Sequence, residues 1–145
     1  MIDPTAALYA HIITTPEITC KIATYENLPA VFEDRAPDGY EVDEPIIIID
    51  PPHSMTRDDT STCVGRVIDM RIRVYGRVRD ANGATGSEAL NDASEILART
   101  LHNSNPDVDT ARTCRVAVNG PYRAPTDTPS VGGRVVSIRW NITET

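Results

Sequence analysis

The side chains with chemical potential are few and scattered. His11, His53 and His102 lie far apart, and none has a carboxylate or thiol partner at metal-ligand spacing. The tightest charged cluster is Arg57-Asp58-Asp59. Paired carboxylates can hold a divalent cation, but this pair lies in a Ser/Thr-rich stretch with no third ligand at a recognised spacing, so it reads as a solvated loop tip. Cys20, Cys63 and Cys114 are odd in number and widely spaced, with no C-x-x-C. They make neither a disulfide framework nor a zinc site and read as buried free thiols of a reducing compartment. A P-loop is excluded because the only lysine, Lys21, has no glycine before it. Neither G-x-G-x-x-G nor G-x-S-x-G occurs. The residues therefore point to a protein that is not an enzyme, with no cofactor and no required metal.

What remains is charge, and its placement is uneven. The 145 residues carry a formal net charge of −7, which argues against general binding to nucleic acid or anionic lipid. Residues 1–60 hold twelve acids against Lys21, Arg35 and Arg57; residues 61–145 hold nine acids against eleven arginines. Arginine makes planar, bidentate ion pairs and is the cation favoured at protein interfaces. A chain acidic in one half and arginine-rich in the other has the means to pair with copies of itself.

The elements that position these charges follow from periodicity. Asp3 and Pro4 suit a helix cap and first turn, and Leu8 and Ile12 give that helix an apolar face. Thr15-Pro16-Glu17 repeats the signal for a second short helical turn. Residues 22–25 suit a short strand, and 26–45 read as an irregular acidic excursion with Pro29, Pro37, Gly39 and Pro45. Ile46-Ile47-Ile48-Ile49, bounded by prolines, is a strand without alternation, so both of its faces should be covered. Residues 51–62 read as a polar connection. Over 67–78, Ile68, Met70, Ile72 and Val74 alternate with Asp69, Arg71, Arg73 and Tyr75, the pattern of a long half-covered antiparallel strand. Ala81-Asn82-Gly83 suits a turn, and Thr85 with Glu88 fits a capping box. Leu90, Ala93, Leu97 and Leu101 predict a helix over 87–102. Cys114, Val116 and Val118, then Val136, Ile138, Trp140 and Ile142, mark two further strands, with a long loop over 120–133 between them.

The expected fold is one α+β domain over 1–145, with elements in the order α-β-β-α-β-β. Its mainly antiparallel four-stranded sheet has helices packed on one face. The other face then presents Arg71, Arg73, Arg115 and Arg139. These, with the acidic residues Glu33, Asp34, Glu41, Asp43 and Glu44, form the candidate inter-subunit interface. No stretch approaches the roughly 18 apolar residues that cross a bilayer. The start of the chain lacks a basic, apolar secretory pattern, so a soluble intracellular protein is expected.

The succession of elements resembles a known family. Ala6-Ala7-Leu8-Tyr9-Ala10 leads through Pro16 to Ile22 and Tyr25. A proline-containing stretch from Pro37 to Pro45 then enters the run at 46–49. The long alternating strand over 67–78, the amphipathic helix over 89–101 and the closing strand over 135–142 complete it. Length and order resemble the tail terminator (tail completion) proteins of long-tailed bacteriophages and phage-like gene transfer agents. The resemblance implies a non-enzymatic virion assembly protein, placed in the tail or neck and assembled in the host cytoplasm. It would form a hexameric ring on the tail tube, end tail polymerisation and offer a surface to head-completion proteins. Its partners would be itself, the tail tube protein and neck proteins, with DNA passing through the ring unbound and no membrane contact. Two other readings suit the same residues: another head–tail connector or neck ring protein, and a small dimeric α+β enzyme or ligand-binding domain.

Overall fold

A computed structural model describes residues 3–57, 64–80, 83–84, 87–104, 106, 111–126 and 128–144. Helix α1 (Pro4–Ile13) starts where the cap is expected: the Asp3 side chain accepts the Ala6 N–H at 3.1 Å, and Leu8 and Ile12 are buried. Helix α2 (Pro16–Thr19) is the second short turn. Strands β1 (Thr24–Tyr25) and β2 (Leu28–Pro29) pair as a small hairpin. Then follow β3 (Val31–Glu33), β4 (Ile46–Ile49), β5 (Ser54–Arg57) and β6 (Val64–Arg77). Beyond β6, β7 (Arg79–Asp80) pairs with β8 (Gly83–Ala84). Helix α3 (Glu88–Leu101) is followed by the long strands β9 (Ala111–Ala124) and β10 (Val131–Glu144).

The main sheet has six strands and is mixed, which corrects the expected four-stranded antiparallel sheet and its α-β-β-α-β-β order. Its order is β3-β4-β6-β10-β9, with β5 also paired to β6. The one parallel pair is β3–β4, and the rest are antiparallel. Two strands left no sequence signal. Strand β3 is three residues long and opens the acidic excursion. Strand β5 has Met55, Thr56 and Arg57 all exposed, so no apolar alternation marks it. The expected loop over 120–133 is also shorter. Strand β9 runs on to Ala124 through a register shift opposite Val135 and Ser137, and β10 begins at Val131. Gly120 has φ +112 there, and a Cβ would lie 2.9 Å from the Val135 carbonyl oxygen, so the irregularity needs glycine.

All three helices lie over one face. Helix α3 packs on β6, β9 and β10, and α1 on β3 and β4. Leu90, Leu97 and Leu101 meet Ile68, Met70, Ile72, Val116, Val136, Ile138 and Trp140 in one core. The Ile46–Ile49 run is covered on both faces, as its lack of alternation requires. Ile47 and Ile49 join that core, while Ile46 and Ile48 join a second cluster with Ala23, Ala30 and the packed rings of Tyr25, Phe32, Tyr40 and Tyr75. Tyr25, Phe32 and Tyr40 meet edge to face at 5.4 to 5.7 Å. The acidic excursion is thus anchored by aromatic packing rather than irregular throughout.

Ser87 stands at the N-cap of helix α3, where its hydroxyl accepts from Asn91 Nδ2 at 3.2 Å rather than from a backbone N–H of the first turn; Thr85 of the expected capping box lies outside the described residues, as do Ala81 and Asn82 of the expected turn. Its C-terminal turn closes part of the free edge of β9. Asn103 N–H donates to the Val116 carbonyl, Val116 N–H to the Ser104 carbonyl, and Val118 N–H to His102 Nδ1 at 3.2 Å. Such cover blunts an edge otherwise open to pairing.

Candidate functional site

The open face of the sheet is built from the polar positions of β6, β9 and β10. Register places Arg139 opposite both Asp69 and Ala117, Asn141 opposite Arg115, and Ser137 opposite both Arg71 and Asn119. Arg71, Arg73, Arg115 and Arg139 therefore project from the face away from the helices, as their alternation requires. Around Asp69, Arg71, Asn119, Ser137 and Arg139 the face forms a shallow depression of about 430 Å³.

Most of these guanidinium groups meet acids of their own chain. Arg73 is the most constrained. Its Nε lies 2.9 and 3.0 Å from the two Asp50 carboxylate oxygens, and Nη2 lies 2.7 Å from Oδ1. Nη2 also donates to the Asp34 carbonyl at 2.7 Å, and Nη1 to the Tyr75 hydroxyl at 3.1 Å. Burial works against the Arg73 charge, but the Asp50 carboxylate and the Tyr75 hydroxyl outweigh it, so its pKa is raised and it stays charged. Arg139 pairs across strands with Asp69 at 2.9 Å. That hydrogen bond and the Asp69 charge raise the Arg139 pKa. Arg71 reaches Asp50 only at 3.9 Å. Arg115 is exposed and makes no ion pair among the described residues.

The candidate acids divide in the same way. Asp34 meets Arg73 through its backbone carbonyl. Asp43 pairs with Arg77 at 3.6 Å and accepts the Arg77 N–H on its own carbonyl. Glu33, Glu41 and Glu44 are exposed and form no ion pair among the described residues. Asp50 and Asp69 are the partners that sequence reasoning missed. Asp69 stands in the polar set of β6, but only the β6–β10 register brings it to Arg139. Asp50 directly follows the Ile run, and only the antiparallel β4–β6 pairing brings it to Arg73.

The remaining sequence candidates that lie among the described residues stand apart from one another. Among the described residues no group of three or more His, Cys, Asp or Glu side chains converges to hold a metal ion. Arg57 ends β5 and is exposed; Asp58 and Asp59 lie outside the described residues. Cys20 is exposed, not buried, because it falls just past α2 on the outward side. Cys63 and the Cys114 side chain lie outside what is described. His53 is exposed, and its backbone N–H donates to the Asp69 carbonyl. His11 is half-buried, and burial lowers its pKa. Trp140 is buried in the core, as its place in the apolar set requires. Among the described residues no helix is long and apolar enough to cross a membrane.

No protein-family profile matches the chain, and no curated protein does. Among solved structures, the fold is shared by a chain of the virion of a native gene transfer agent (GTA) particle. The match has a TM-score of 0.74 at 15% identity and covers 97% of this chain and 94% of that one. At that identity the likeness is one of fold: this α+β domain has the architecture of a chain of that gene transfer agent virion.

Proposed function

We propose that this chain is a non-enzymatic virion assembly protein of the tail-terminator kind. It forms a hexameric ring on the end of the tail tube, stops tube polymerisation and offers a surface to head-completion or neck proteins. The observation that carries the reading is the near end-to-end likeness to a chain of a gene transfer agent virion. The resemblance of the sequence to the tail terminators, from Ala6-Ala7-Leu8-Tyr9-Ala10 to the closing strand over 135–142, supports the same reading.

The physical features support it. A head-to-tail contact closes into a ring when its rotation closes, and it uses two different patches of one subunit. The exposed arginines Arg71 and Arg115 and the exposed carboxylates Glu33, Glu41 and Glu44 supply contact surfaces of opposite sign. Arg73 and Arg139, with Asp34 and Asp43, shape those surfaces from within the subunit. A net charge of −7 suits a ring through which DNA slides without sticking. The protein would act in the virion tail or neck, after assembly in the host cytoplasm.

The test is deletion of the gene followed by electron microscopy of the particles. Tubes of unregulated, excessive length support the proposal. Tails of normal length that fail to join heads would assign the protein to another neck ring instead. Normal particles would refute both.

A further inference from the structure

The arginines of the open face mostly meet carboxylates, but among the described residues a second group does not. Arg79, Arg123 and Arg134 line a cleft of about 350 Å³ where the β9–β10 turn meets the start of α3, with Ser87 and Thr126 beside them. Arg123 and Arg134 stand directly opposite each other across the β9–β10 pair. Like charges so placed repel unless an anion lies between them. Arg134 bonds only neutral groups: its Nε donates to Asn91 Oδ1 at 3.1 Å, and its Nη1 to the Gly133 carbonyl at 2.8 Å. Arg79 and Arg123 are exposed. None of the three has a carboxylate partner among the described residues.

We propose that this cleft receives the acidic excursion, residues 33–44, of a neighbouring copy of the same chain. The inference deepens the ring reading and rests on it. Charge is the first argument, because Glu33, Glu41 and Glu44 are exposed and unpaired among the described residues. Position is the second. The excursion and the cleft are different patches: the excursion joins β3 to β4 and its end meets β6 at Arg77, whereas the cleft lies beyond β6, between the β9–β10 turn and the start of α3. Tyr40 and Val42 of the excursion pack, as Tyr75 does, against the cluster of Ala23, Ala30, Ile46 and Ile48, while Arg134 of the cleft reaches Asn91 of α3 on the helix face. A heterologous contact joins two different patches of one subunit in this way.

The test uses two double variants of the full chain, Arg79→Glu/Arg123→Glu and Glu41→Arg/Glu44→Arg, studied by sedimentation velocity at low and high salt. Circular dichroism checks that each is folded. The side chains changed have no described bond to lose, so both variants should fold. Each alone should self-associate at least about tenfold more weakly than the unmodified chain, and association of the unmodified chain should weaken with salt. An equimolar mixture should recover association, because each reversed cleft then meets a reversed excursion. Association within about twofold of the unmodified chain in both variants, or no recovery on mixing, would overturn the contact. An unmodified chain that stays monomeric in low salt would overturn it too. Hexamers indifferent to the reversals would sink the contact and leave the ring. A dimer that obeys the charge swap would sink the ring and leave the contact. Saturable binding of a short DNA duplex, abolished by Arg79→Glu/Arg123→Glu, would assign the cleft to phosphate instead.

Discussion

Truncating Arg73 to alanine should unfold the chain more readily than any other single change on the open face. The guanidinium joins three segments at once: Asp50 after β4, the Asp34 carbonyl after β3, and Tyr75 on β6. Its side chain is 28% exposed and that of Asp50 14%. Breaking a fully buried pair costs roughly 3–5 kcal/mol, much of it from the charge left behind. Partial exposure reduces that, and about 2–3 kcal/mol is the expected loss. The Arg139–Asp69 pair is the internal control. It has a similar 2.9 Å contact, but the Arg139 side chain is 65% exposed, so Arg139→Ala should cost far less than Arg73→Ala. Arg73→Lys keeps the charge but not the planar fork, and should recover less than half of the loss. The assay is urea unfolding at neutral pH, at a concentration where each protein is a single species, with the slope checked for constancy. A double-mutant cycle with Asp50→Ala isolates the pair. Losses for Arg73→Ala and Arg139→Ala within about 0.5 kcal/mol of each other would refute the reasoning that burial makes this cluster a tie.

Two further outcomes follow from the core and from His11. Leu97→Ala removes a fully buried side chain at the centre of α3 and should cost ~2–5 kcal/mol in the same unfolding assay, whereas under about 0.5 kcal/mol would place the residue at the surface. Burial lowers the His11 pKa below its ordinary 6.5, so below pH 6.5 the unfolded chain binds a proton that the folded chain resists. Stability should fall as pH drops from about 6.5 through the lower folded value, and His11→Gln should flatten that part of the profile; an unchanged slope would show that His11 titrates normally.

Periodicity carried much of the fold. The alternation in β6 and β10 placed Ile68, Ile72, Ile138 and Trp140 in the core, and the unbroken Ile46–Ile49 run required cover on both faces. Strand β5 escaped because an edge strand with both sides in water has no apolar period to read. The length of β9 escaped because Gly120 and Pro121 punctuate a sequence as a turn does, while here they mark an irregularity within the ladder. The open arginine face was legible as a face. What each arginine meets was not, because Asp69 and Asp50 reach Arg139 and Arg73 only through strand register. The cleft of Arg79, Arg123 and Arg134 was hidden for the same reason: strands β7, β9 and β10 must converge before these charges become neighbours.

On the function proposed above, six copies of this chain form a ring that closes a tail tube. The most direct test is electron microscopy of tubes of the cognate tail protein incubated with gold-labelled chain. The expected result is label at one end only, with a ring of six subunits visible there and no further tube growth from that end. Label along the tube walls, or tubes that bind none of the chain and continue to grow, would contradict the claim.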